Sequence, residues 1–71
     1  MLELDLLLEP FCQNRYLQLT EDKKNHYQEL LNHEDNQLYA WLMGYAVPAE
    51  TSLSDMVKDI RYYAQRPVNK N

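Results

Sequence analysis

The sequence predicts an all-α fold, a small helical bundle with four helices. Three observations carry that prediction. The 71-residue chain holds one glycine and three prolines. That is too few turn-formers for a sandwich or barrel, which needs a turn every ~8–12 residues. Its leucines and aromatics recur three and four residues apart, the period of a helix face. No run reads as a strand, and no internal repeat or low-complexity tract is present. One domain covers residues 1–66, followed by a polar C-terminal tail, 67–71.

The first segment runs from Met1 to about Leu17. Leu4, Leu7, Leu8 and Phe11 form its apolar face, with Cys12 beside them. Pro10 falls inside the pattern and predicts one bent helix, since it lacks an N–H and crowds the preceding turn. The pattern begins at residue 1 with nothing ahead to cap it, so it reads as the middle of a longer element. Thr20 is the expected cap of the second helix, with Glu21 and Asp22 at its positive pole. Tyr27, Leu30 and Leu31 make its stripe, and Asn32-His33-Glu34 the connection. Asp35 is the expected cap of the third helix, striped by Leu38, Trp41 and Leu42. Gly44 then stops it, because only glycine takes positive φ cheaply. The fourth helix starts near Thr51 or Ser52, with Ser52 and Asp55 as a variant capping box. Leu53, Met56, Val57, Ile60 and Ala64 give it a clean face. Arg61 and Arg66 suit its negative pole, and Pro67 ends it.

Composition then limits the function. Seven Lys+Arg against 11 Asp+Glu leave a net charge of −4 and a pI near 4.9. A nucleic-acid partner would need a clustered basic face, which is missing. A single cysteine excludes an internal disulfide framework and a zinc site of paired cysteines. Mean hydropathy is −0.68, and no apolar run approaches the ~20 residues needed for membrane insertion. The acidic start does not read as a signal peptide, so a cytoplasmic location is the default. A chain this short buries only roughly 60–65% of its unfolded surface. Few residues remain to line a deep cavity, which favours surface recognition over a buried active site.

The chemistry-bearing residues follow the same line. His26 and His33 lack the i, i+4 spacing of a zinc helix and read as solvated surface histidines. Cys12 has no partner cysteine and reads as small core filler. Glu3, Asp5 and Glu9 lack a cleft that would split their pKa values for acid–base work and read as a solvated face. Tyr27 and Trp41 are expected in the core. Tyr16, Tyr45 and Tyr62 are candidates for exposed contacts, because tyrosine brings area with little entropy cost. No nucleophile–base pair emerges, so the chain is not expected to be an enzyme.

Several strings together resemble a known family. They are Met1-Leu2-Glu3-Leu4-Asp5, Pro10-Phe11, Leu19-Thr20, and Asp35-Asn36-Gln37-Leu38-Tyr39-Ala40-Trp41-Leu42-Met43-Gly44. The family is the FAD assembly factors of succinate dehydrogenase, which includes the bacterial flavinylation factor and mitochondrial succinate dehydrogenase assembly factor 2. The resemblance spans Met1 to about Ala64. It implies a five-helix bundle, of which four helices fall in this sequence. It implies a non-enzymatic protein that binds the flavoprotein subunit of succinate dehydrogenase, and also that of fumarate reductase. There it promotes covalent attachment of FAD to a histidine, binding no cofactor tightly itself. The family motif is Arg-Gly-x-x-Glu. Glu3 falls on its Glu, and the Arg and Gly would precede residue 1, together with the family's first helix. Loss of that helix would expose apolar surface, which makes a homodimer the expectation. The resemblance marks Glu3, Asp5, Phe11, Trp41 and Gly44 as candidate partner-binding residues, although packing and helix termination explain Trp41 and Gly44 more simply. The alternative function is an antitoxin-like or general interaction module, a label some members carry.

Overall fold

The computed structural model describes residues 2–65. Met1, the expected stop at Arg66–Pro67 and the polar tail lie outside them. Four α-helices follow in order: α1 (Leu2–Arg15), α2 (Glu21–Leu31), α3 (Asp35–Leu42) and α4 (Thr51–Gln65). A single 3-10 turn, Tyr16–Gln18, joins α1 to α2. No strand occurs among the described residues.

Pro10 lies inside α1 without ending it. The carbonyl that its missing N–H leaves unserved belongs to Leu6, and both residues lie on the exposed side of the helix, where solvent can replace the lost bond. The Asn14 side-chain amide donates to the Pro10 carbonyl at 2.9 Å. α1 ends at Arg15 rather than Leu17, and Leu17 is exposed.

The caps of α2 and α3 show how local chemistry sets the boundaries. Thr20 accepts from the Lys23 N–H at 3.2 Å, as the sequence predicts. At the end of α3, the Gly44 N–H donates to the Trp41 carbonyl at 3.1 Å, and the Tyr45 N–H to the Ala40 carbonyl at 2.8 Å. Gly44 has φ +81°. This is the paired closure of a Schellman motif, and it comes with the usual side-chain contact across the turn: the Tyr39 and Tyr45 rings lie 6.3 Å apart.

Two expected caps shift by one residue or more. Glu34, in extended conformation, precedes α3, and Asp35 is its first helical residue. There the carboxylate still faces the positive pole. In α4 the Ser54 N–H closes on the Glu50 carbonyl at 2.9 Å. The helix is therefore under way before Ser52 could cap it, and the Ser52–Asp55 pair falls inside.

The core is built around α4, which packs against α1, α2 and α3. Leu53, Met56, Val57 and Ile60 from α4 meet Leu4 and Phe11 of α1, Tyr27 and Leu30 of α2, and Leu38, Trp41 and Leu42 of α3. Phe11 stacks on Tyr27 at 5.7 Å and takes the edge of Tyr63 at 6.1 Å. Three residues expected on buried faces are exposed: Leu31 at the edge of the α2 stripe, Cys12 and Ala64. Cys12 sits about 100° round the helix from buried Phe11, so it points outward. Ala64 lies one turn beyond Ile60 and borders a shallow cleft instead of the core.

A Gly44→Ala substitution is expected to destabilise the fold by about 1–2 kcal/mol, the cost of holding a Cβ-bearing residue at positive φ. Urea unfolding followed by circular dichroism would measure it, with the m-value unchanged.

Candidate functional site

Burial of Leu4 and Phe11 fixes the rotation of α1, and that sets where every other side chain of the helix points. At 3.6 residues per turn, Glu3 and Leu7 share one flank. Asp5, Leu8 and Cys12 share the other. Leu2, Leu6 and Glu9 face directly outward. Glu3 and Asp5 are both exposed, but residues two apart do not face each other. The two candidate carboxylates therefore lie on opposite flanks and cannot grip one group together.

The remaining candidates differ in access. Phe11 is 2% exposed and Trp41 8%, so both act on the surface from beneath it. Gly44 closes α3, and its open side is covered by the Arg61 guanidinium. A Cβ at Gly44 would stand 2.8 Å from Arg61 Nη2. Of the tyrosines expected at the surface, Tyr45 and Tyr62 are exposed. Tyr16 is half-buried, packed 5.3 Å from Tyr27 with the Lys24 ammonium over its ring. His33 is exposed, as expected, but it is not without contacts. Its ring meets Trp41 at 5.0 Å, and its Nδ1 lies 3.3 Å from the Leu30 carbonyl. His26 is half-buried.

Four shallow concavities border these residues, one of them, about 140 Å³, at Phe11 and Tyr62. The broadest, about 510 Å³, lies along α1 and α2, lined by Leu2, Asp5, Leu6, Leu8, Glu9, Cys12, Tyr27 and Leu31. A second, about 270 Å³, has Trp41 and His33 on its wall and Glu29 and Glu50 at its rim. A third, about 170 Å³, runs between Leu7, Leu42, Met43, Ile60, Arg61 and Ala64. It lies on the Glu3 flank of α1, one helical turn from Glu3 itself.

This arrangement suits recognition rather than bond-making. Burial raises the pKa of the Tyr27 phenol well above its ordinary value, and the neighbouring Cys12 and Tyr16 add to the rise. Tyr27 is therefore a neutral phenol at physiological pH and cannot serve Cys12 as a base. Among the described residues, no three His, Cys, Asp or Glu side chains could hold a metal ion. None of the described helices is long and apolar enough to cross a membrane.

The model of one protein family, described as the flavinator of succinate dehydrogenase, matches residues 1–64. The chain belongs to that family. Curated relatives carry the name FAD assembly factor SdhE. The relative from Legionella pneumophila (strain Paris) is 49% identical over 61 residues, which is 86% of this chain and 76% of the relative. Those from Shewanella oneidensis and Coxiella burnetii are 43% and 36% identical, each over 86% of this chain and 74% of the relative. No solved structure is significantly similar. The family is one of assembly factors, not of catalysts.

Sequence reasoning reached Glu3 through its motif but missed two features of this family member's surface. The Leu2–Leu6 pair faces solvent at 70% and 67% exposure, and its i, i+4 spacing on the side away from Leu4 was a readable signal. The contact between Arg61 and Gly44 had none, since it joins α4 to the turn after α3, seventeen positions apart.

The raised Tyr27 pKa carries a pH prediction. In the unfolded chain the phenol titrates near ~10, whereas the fold holds it neutral to higher pH. Its contribution to stability is therefore complete below pH ~10 and is lost as pH rises through the folded value. Between pH 10 and 11.5, the unfolding free energy of the wild type, taken from urea titrations, should fall more steeply than that of Tyr27→Phe, by up to about 1.4 kcal/mol per pH unit. Parallel slopes would show that Tyr27 ionises alike in both states.

Proposed function

We propose that this chain docks through the Glu3 flank of α1 onto the flavoprotein subunit of succinate dehydrogenase and holds it in the geometry in which FAD becomes covalently bound. The observation that carries the reading is the placement of Glu3. The one motif carboxylate in the chain stands exposed on the first turn of a helix whose rotation is set by the core. Membership of the flavinator family supports the partner. The flavoprotein subunit of fumarate reductase is a second partner on the same reading, and the cytoplasm is where both would be met.

The physical role is orientation. Bond formation belongs to the flavin and the acceptor histidine of the partner, and a helper contributes by restricting how the reacting parts move. A rigid 71-residue bundle serves that role by surface contact alone. FAD itself stays with the partner. The broadest groove carries Asp5 and Glu9 and no cation, a lining that repels the pyrophosphate of a dinucleotide.

The test is flavin fluorescence of the flavoprotein subunit on a denaturing gel, in a host lacking its own assembly factor. The wild-type chain should restore the signal. Glu3→Ala, folded and present at equal level, should give a tenth of it or less, the equivalent of about 1.4 kcal/mol of lost docking energy. Full signal from Glu3→Ala would remove Glu3 from the contact.

A second copy of the chain is the further partner we assign, to the groove floored by Leu2, Leu6 and Leu31. Leu31 is 37% exposed, beside the two more exposed leucines. In sedimentation at high concentration the wild type should show a dimer and Leu6→Glu a monomer.

A further inference from the structure

We propose that Arg61 is the second charged anchor of the docking surface and that it takes a carboxylate presented by the flavoprotein subunit, next to an apolar side chain that enters the adjoining cleft. The proposal rests on the docking reading above and assigns the residue that meets the partner across from Glu3.

Four observations converge on Arg61. First, it is a cation with no salt bridge among the described residues, whereas Lys23 pairs with Asp59 at 3.7 Å and Lys24 with Glu21 at 3.9 Å. Second, its Nε is buried without a hydrogen-bond partner, the one side-chain nitrogen or oxygen so placed among the described residues. A buried donor left unpaired is costly, and in a native protein it calls for a reason. Turning the side chain outward to a partner relieves that cost instead of adding one.

Third, the seat of the guanidinium depends on the absence of a side chain. A Cβ on Gly44 would lie 2.8 Å from Nη2, 3.1 Å from Cζ and 3.2 Å from Nη1. These near-equal distances set the guanidinium broadside on the glycine, at the carbonyl end of α3. The carbonyls of Tyr39, Ala40 and Trp41 already accept bonds from the residues that close the helix, so Arg61 rests at a negative pole without being bonded to it. Fourth, Arg61 forms one wall of the 170 Å³ cleft whose other walls are Leu7, Leu42, Met43, Ile60 and Ala64. A planar fork beside an apolar recess matches a carboxylate flanked by an aliphatic or aromatic side chain.

Leu7 connects this cleft to Glu3, one turn earlier on the same flank. The surface therefore offers a negative group on one side of an apolar recess and a positive group on the other. A partner with the reverse polarity fits in one direction only, and like charges penalise the other.

The experiment measures binding of the full chain to the purified flavoprotein subunit by titration calorimetry at two salt concentrations. The variants are Glu3→Gln, Arg61→Gln and Arg61→Lys, each checked by thermal melting. Arg61→Gln should bind at least tenfold more weakly than wild type, lose part of the salt dependence and keep its melting temperature. Arg61→Lys should fall between the two, since it keeps the charge without the fork. Wild-type affinity and salt dependence in Arg61→Gln, with Glu3→Gln weakened, would overturn the role of Arg61 and leave the docking reading standing. Weaker binding that merely tracks a lower melting temperature, with unchanged salt dependence, would also overturn it, by showing a packing role. No binding by the wild type would overturn the docking reading itself.

Discussion

Everything in this molecule depends on the burial of one helix face. Leu53, Met56, Val57 and Ile60 of α4 are each at most 5% exposed, and they are the surface on which the other three helices close. A chain of this size has little apolar area to spare, and the described residues include no disulfide or metal cluster to supplement it. The rotation of α1 about its axis follows from this packing, because Leu4 and Phe11 must face α4 and its neighbours. The exposed position of Glu3 on one flank is thus decided by Leu4 and Phe11 on the buried face of its own helix.

The features legible in the sequence were those set by local chemistry. The Thr20 cap and the Gly44 stop each depend on residues within a few positions, and the structure has both. The apolar stripes of α2, α3 and α4 were legible because their spacing matches the helical period. Reading failed where a boundary or a burial was decided by a neighbour from elsewhere. Cys12 sits beside the buried stripe in sequence, but Phe11 occupies the position facing the core. Ala64 continues the stripe of α4 past the point where another helix covers it. The cap of α4 moved because Glu50, not Ser52, supplies the first helical carbonyl. At the surface, motif resemblance nominated Glu3 as a candidate, and the fold leaves it exposed. The seating of Arg61 on Gly44 is a tertiary contact between α4 and the turn that closes α3, and periodicity carries no trace of it.

The surface explains how so small a fold can assist a reaction without performing it. Its concavities are shallow and open, its one thiol neighbours a phenol held neutral by burial, and its charged groups stand on rigid helices. What the bundle offers is placement. Arg61 lines a recess formed by three helices, α1, α3 and α4, and Glu3 stands one turn from its Leu7 wall on the same rigid helix, so the placement of both charges is set by the core. A loop could present the same groups but would lose more entropy on binding.

The central position of α4 has a consequence for biosynthesis. It is made after α1, α2 and α3, yet it is the one they close upon. At ordinary rates of synthesis, about 5–20 residues per second, α1 waits several seconds with Leu4 and Phe11 uncovered. During that interval the nascent chain is a string of amphipathic helices without a core. The stretch through α3 therefore cannot complete the core by itself, and folding waits for α4.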